Sequence, residues 1–182
     1  VCSSDLGRLD RLISDISQAS RVDTEIIGRD GEAFDFVELL DNFIQLRQPS
    51  FADQTLLFTK AEQPVMVRGH DGRIVQVLDN LLSNAASFSP KRGDIKFELV
   101  MSQKPSQAVL HIMDEGPGIP ENRLDTVFQR FYSERPKGES FGDHSGLGLS
   151  IARQIIEGHD GSLVASNRAS GGACFTLKLP LA

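Results

Sequence analysis

Two asparagines one helical turn apart, Asn80 and Asn84, lie in the run "LDNLLSNAASFSP" from Leu78 to Pro90. On a helical wheel Gln76, Asn80, Ser83, Asn84 and Ser87 share one side, while Ile74, Leu78, Leu81, Leu82 and Ala85 take the other. A solvated polar face accounts for that pattern by itself. One detail counts against it. Exposed helix faces usually carry Glu, Lys and Gln, whereas Asn and Ser are poorer helix formers by roughly a few tenths of a kcal/mol each. Short amides and hydroxyls serve better where a ligand comes close, and an Asn carbonyl oxygen is a suitable hard ligand for Mg²⁺.

Three further stretches carry candidate chemistry. "DEGPGIP", Asp114 to Pro120, follows an apolar strand. An Asp at a strand end can accept a hydrogen bond from an exocyclic amine, and Gly116 and Gly118 let the backbone pass close to a flat ring. Alone, Asp-x-Gly-x-Gly is also an ordinary turn. "HSGLGLSIARQI", His144 to Ile155, places Gly146 and Gly148 at the opening of an amphipathic helix, and a helix N-terminus with free N–H groups favours phosphate. A loosely capped helix is the plain alternative, although two glycines in a first turn cost about 1 kcal/mol each relative to Ala. Between these lies "SERPKGESFGDHS", Ser133 to Ser145, polar and without periodicity, which reads as a lid or as disorder.

These residues need a scaffold, and the hydrophobic patterning supplies one. Asp35 caps a predicted helix over Phe36 to Arg47, and short strands follow at Thr55 to Thr59 and Val65 to Arg68. Asp71 is expected to cap a second helix running to about Phe88. "GDIKFELVMS" and "QAVLHIMDE" alternate as a hairpin joined at Lys104-Pro105-Ser106, Phe128 to Tyr132 makes an aromatic turn, and a third helix is expected from about Gly146 to Glu157. "GSLVASN" and "ACFTLKLP" close the chain as a strand pair. Hairpins with three helices between them indicate an α+β two-layer sandwich.

Composition narrows the function classes. The 182 residues are 40% hydrophobic and 24% charged, enough to bury a core. A net charge of -6 with no basic stripe argues against nucleic acid as a partner. Cys2 and Cys174 have no metal-like spacing and suggest a reducing compartment. The chain shows no membrane-spanning run, starts without Met, and opens on "VCSSD", which reads as a possible scar on a fragment of a longer protein. Leu6, Leu9, Leu12, Ile13 and Ile16 have the spacing of a helical seam, so residues 1–24 read as the end of a longer helix, residues 25–33 as a linker, and residues 34–182 as the main domain.

Taken in order, Asp79 to Ser87, Asp114 to Gly118, "FQRFY" (Phe128 to Tyr132), Ser145 to Leu149 and "GGACF" (Gly171 to Phe175) resemble the N, G1, F, G2 and third glycine boxes of the catalytic and ATP-binding domain of sensor histidine kinases. These form part of the GHKL superfamily, with the Bergerat fold. The seam resembles the end of the second helix of their dimerisation and phosphoacceptor hairpin. "SFSP", "RFYSERP" and "HSGLGLSI" are similar to the alphaproteobacterial ChvG/ExoS-like kinases. The resemblance implies that Asn84 coordinates Mg²⁺, that Asn80 lies beside the ATP phosphates, and that Asp114 binds the adenine amino group. Gly116, Gly118 and Ile119 would border the adenine, with Phe88 near its other side. Arg130 would reach toward the γ-phosphate beside Phe131 and Tyr132, and Ser145, Gly146, Leu147, Gly148 and Leu149 would line the phosphate end. Two positions depart from the pattern. Ser87 stands where a basic residue is common, so a phosphate contact is either missing or supplied elsewhere, by Lys91, Arg130 or Lys137, and Ala173 stands where Thr is frequent.

In ATP-hydrolysing relatives of this superfamily a Glu at the position of Asn80 acts as general base for water. A neutral amide cannot take that proton, and Asp79 is turned about 100° around the helix. Transfer of the γ-phosphoryl to another protein group is therefore favoured over hydrolysis. His70, His111, His144 and His159 lie in no acceptor-like context, with turn and surface readings sufficient for His144 and His159, so the acceptor histidine is expected upstream. The resemblance then implies a homodimer through the upstream hairpin, a response-regulator partner, and a cytoplasmic position below a membrane anchor in the parent protein. A non-catalytic nucleotide-binding module, or a serine kinase of the anti-sigma-factor type, shares the boxes. The intact Asn84 and Asp114 weigh against the first, and the seam weighs against the second.

Overall fold

The computed structural model describes residues 31–132 and 146–182. The seam at Leu6 to Ile16, and Lys137, His144 and Ser145, lie outside the described residues. Three helices, α1 (Phe36–Arg47), α2 (Asp71–Phe88) and α3 (Gly148–Gly158), lie on one face of a five-stranded sheet. Its strands run in the order β2 (Thr55–Thr59), β4 (Asp94–Gln103), β5 (Ser106–Met113), β7 (Ala173–Pro180), β6 (Ser162–Asn167). β2 is parallel to β4, and the other neighbours are antiparallel, so the expected α+β two-layer sandwich is the architecture found. A separate antiparallel ribbon pairs β1 (Glu32–Asp35) with β3 (Met66–Gly69).

The alternation read from the strands sorts the two faces of the sheet. Ile95, Phe97, Leu110, Ile112, Phe175 and Leu177 point to the helices and are 0 to 1% exposed. Lys96, Glu98, His111, Thr176 and Lys178 alternate with them on the outer face and stay partly exposed. Against the inner face α2 packs Ile74, Val77, Leu78, Leu81, Leu82 and Ala85, while α3 packs Ile151, Ala152, Ile155 and Ile156. Full burial of each such large apolar side chain contributes about 1.5–3 kcal/mol. The two helices lie side by side.

Four boundaries differ from expectation, each for a reason visible in the contacts. Asp35 caps α1 as expected, its Oδ1 accepting the Val37 N–H at 2.9 Å, but it also takes the Val65 N–H at 3.2 Å. Val65 is thereby held against the start of α1, and β3 runs over Met66–Gly69 instead of beginning at Val65. Glu32 and Ala33, read as linker, pair with Gly69 and Arg68. Asp71 is not the cap of α2. The His70 carbonyl already accepts from Arg73 and Ile74, so His70 occupies the N-cap position and Asp71 is the first helical residue, its carboxylate on the Gly72 N–H at 2.6 Å. α3 starts at Gly148 because Gly146, at φ +71°, is left-handed and cannot be helical.

Candidate functional site

Burial of the apolar side of α2 leaves Asn80 and Asn84 half-buried at its edge, on the side that meets α3. A Cβ on Gly148 would lie 3.5 Å from both Cγ and Oδ1 of Asn80, so the first asparagine faces the first turn of α3. That turn has no side-chain cap. The Ile151 N–H returns to the Leu147 carbonyl at 2.9 Å, which leaves the N–H groups of Gly148, Leu149 and Ser150 ahead of the helical ladder. Ser150 is buried and donates its hydroxyl to the Leu147 carbonyl at 2.8 Å. The Leu147 side chain is buried and Leu149 packs on the core, so what both offer a ligand is backbone. The Ser87 hydroxyl donates back to the Ser83 carbonyl at 3.0 Å. Asp79 is engaged elsewhere: the Arg47 guanidinium grips both its oxygens, at 2.6 and 2.7 Å.

The far end of α2 meets the Asp114 loop. A Cβ on Gly116 would stand 2.7 Å from the Phe88 carbonyl oxygen, a distance no side chain tolerates, so glycine is required there. Asp114 is 2% exposed, and its Oδ1 accepts the N–H groups of Gly116 at 2.8 Å and Ala173 at 3.0 Å. Burial pushes its pKa above the usual carboxylate value, while the Ala173 and Gly116 donors and the nearby Arg168 charge pull it back. The Ala173 position, notable in sequence for its missing hydroxyl, therefore serves Asp114 through its backbone. Gly172, at φ +90°, passes so close that a Cβ would overlap the Asp114 carbonyl.

The aromatic turn frames the third side. Val127 and Phe128 are buried, with Phe128 edge-on to Phe175 at 6.2 Å and the Arg153 guanidinium 5.0 Å from the Phe128 ring centroid. Arg130 and Phe131 are exposed, and Phe131 adopts a left-handed φ of 65°. Its N–H donates to the Gly146 carbonyl at 3.0 Å, and a Cβ on Gly146 would sit 2.8 Å from the Tyr132 carbonyl oxygen. The Tyr132 hydroxyl accepts from Arg123 Nη1 at 3.1 Å.

Contacts thus link Gly148 to Asn80, Phe88 to Gly116, and Asp114 to Gly172 and Ala173, and join Phe131 and Tyr132 to Gly146. Two partners were not singled out from the sequence. Asn167 and Arg168, in the β6–β7 turn, fasten the Asp114–Ile119 loop; nothing in their local pattern announces a contact nearly fifty residues away. His159 was read as a surface or turn residue, and that is corrected: it is 4% exposed, with Nδ1 donating to the Ile155 carbonyl at 2.7 Å and Nε2 accepting the His70 N–H at 3.2 Å. It joins the end of α3 to the start of α2, and burial lowers its pKa.

Residues 69–182 match the family of histidine kinase-, DNA gyrase B-, and HSP90-like ATPases, and the chain belongs to that family. Within it, the chain is 40% identical over 196 residues to the sensor protein ChvG of Rhizobium meliloti (strain 1021), an alignment covering 99% of this chain and 33% of the relative. The chain therefore spans about a third of the length of that relative. Among solved structures, the mycobacterial sensor histidine kinase MprB superposes with a TM-score of 0.71 at 30% identity, over 83% of this chain and 97% of that one. A complex of histidine kinase ThkA with the response regulator TrrA has the same fold, with a TM-score of 0.77 at 24% identity, over 99% of this chain and 49% of that one.

Proposed function

We propose that this chain is the catalytic, ATP-binding part of a two-component sensor histidine kinase, delivering the ATP γ-phosphoryl to a histidine upstream of it in the parent protein. The observation that carries the reading is Asp114, a buried carboxylate whose two backbone donors both use Oδ1. Oδ2 is thereby left to accept the exocyclic amine of adenine. Gly116, Gly118, Ile119 and Phe88 border the base. Asn80, the α3 N-terminus at Gly146 to Leu149, and Ser145 serve the phosphates, with Arg130, Phe131 and Tyr132 at their outer edge. Ser87, with its hydroxyl turned to the helix backbone, contributes bulk and no charge.

A single amide oxygen, that of Asn84, suits Mg²⁺, which takes few protein ligands when phosphate oxygens and waters complete its shell. Held by Asn84, such an ion would supply charge neutralisation at the phosphates. Asn80 cannot deprotonate water, and Asp79 is tied to Arg47, so no carboxylate on this face of α2 is free to act as general base. The site excludes hydrolysis better than it excludes transfer. The parent protein would act as a homodimer through its upstream hairpin and pass the phosphoryl to a response regulator. Among the described residues no helix is long and apolar enough to cross a membrane; a membrane anchor in the parent protein, with this part on its cytoplasmic side, belongs to the same proposal.

The test uses a longer chain that includes the upstream hairpin, incubated with γ-labelled Mg·ATP beside its Asn84→Ala variant. Acid-labile, alkali-stable label that disappears in the variant is the expected outcome. A folded dimer that binds nucleotide but takes no label would point instead to a non-catalytic module.

A further inference from the structure

Asp114 contacts the base in the ATP-binding reading of the site, yet the loop that carries it is held by another part of the chain. Asn167 ends β6, and its carboxamide faces Ile119: Nδ2 donates to the Ile119 carbonyl at 2.6 Å and Oδ1 accepts the Ile119 N–H at 2.7 Å. A side chain here imitates the pair of bonds that a neighbouring strand would make. Its Oδ1 also lies 2.8 Å from where a Cβ on Gly118 would stand. One residue on, Arg168 Nη1 donates to the Asp114 carbonyl, while the Arg168 N–H reaches the Gly172 carbonyl at 2.9 Å and the Gly171 N–H the Arg168 carbonyl at 3.1 Å. The loop from Asp114 to Ile119 is thus fastened at both ends to one turn, at Asp114 by Arg168 and Ala173 and at Ile119 by Asn167.

Asn167 is exposed, so each of its bonds competes with water and adds little to the fold. What the pair does is remove freedom from Gly116, Pro117 and Gly118, a stretch whose two glycines would otherwise wander. We propose that Asn167 is a positioning residue for base recognition: by holding Ile119 it fixes the gap between the Asp114 carboxylate and the opposite wall, and so makes the pocket select adenine over guanine. This rests on the ATP reading of the site. Adenine presents an amine to Asp114 Oδ2, whereas guanine presents a carbonyl oxygen that a carboxylate repels. A loop free to shift could relieve that repulsion, and a fastened one cannot.

The experiment measures dissociation constants of the purified chain for Mg·ATP and Mg·GTP, with melting temperature recorded for every variant. Asn167→Ala is expected to lose about tenfold in ATP affinity and little in GTP affinity, so that the preference itself falls about tenfold. Asn167→Asp supplies a second readout. Its carboxylate keeps the acceptor for the Ile119 N–H but opposes the Ile119 carbonyl, and at an exposed position it stays ionised at neutral pH. Its ATP preference should be as poor as that of Asn167→Ala, whereas Asn167→Gln, which keeps both amide groups one methylene further out, should recover part of the wild-type preference. An Asn167→Ala or Asn167→Asp protein that folds and keeps wild-type preference overturns the positioning role. If Asn167→Ala does not fold, Asn167→Asp decides, and a wild-type preference in that variant overturns the proposal. A wild-type chain that binds no adenine nucleotide overturns the ATP reading and this proposal together. Binding that is lost in Asp114→Asn but unchanged in Asn167→Ala overturns this proposal alone.

Discussion

At the proposed base end, Asp114 is held by Ala173, Gly116 and Arg168, and Ile119 by Asn167. At the other end Asn80 and Asn84 stand on a helix anchored through its opposite, apolar side, and α3 presents its first turn without a side-chain cap. In the ATP-binding reading, the preformed end would meet a flat, rigid base through a few directed bonds, and the other end would present short dipoles for ions and phosphate oxygens to complete. Side chains locked to backbone carry the first end, and open amides beside a helix N-terminus carry the second.

Substitutions can break this contrast in order of size. Gly172→Ala should be the most damaging, because a methyl there would overlap the Asp114 carbonyl at a left-handed φ. We expect a stability loss of about 3 kcal/mol or more, read by urea denaturation; a mild effect would mean that the base end is more pliable than the contacts imply. Asp114→Asn comes next and separates function from stability. The folded-state pKa of Asp114 is raised, so its protonated form favours folding below the usual carboxylate value, and that contribution is lost as pH rises through the folded pKa. At pH 7 the buried charge is therefore a cost. The amide keeps the Oδ1 acceptor but presents a donor to the adenine amine. Affinity for ATP should fall by about a hundredfold, while the melting temperature at pH 7 stays level or rises and the gap narrows toward pH 4. Asn84→Ala should weaken Mg·ATP by roughly tenfold and leave metal-free ADP nearly untouched, a difference that titration with and without EDTA would expose. The smallest change is expected from Asp79→Asn. Arg47 and Asp79 are each 39% exposed, so their ion pair contributes under about 1 kcal/mol, and ATP turnover should not change.

Much of this could be read along the chain. Period-two alternation gave β4, β5 and β7 with the correct inward faces, and the wheel of α2 put Asn80 and Asn84 opposite the core, because both patterns are local. The glycine-rich starts were legible as requirements but not as contacts: only the fold reveals that Gly116 needs its space for the Phe88 carbonyl. Asn167, Arg168 and His159 were illegible for one shared reason. Each acts on a distant backbone group, and a lone Asn after a strand or a His after a helix looks like solvent-facing punctuation. The displaced cap at Asp71 has a similar origin, since His70 is drawn in by His159 from the end of another helix.

The bond from the Phe131 N–H to the Gly146 carbonyl joins the aromatic turn to the residues that open α3. Phe128 of the same turn meets Arg153 of α3 and Phe175 of β7. The turn is thereby seated on helix and sheet at once, so a change that shifts α3 would carry Phe131 and Tyr132 with it.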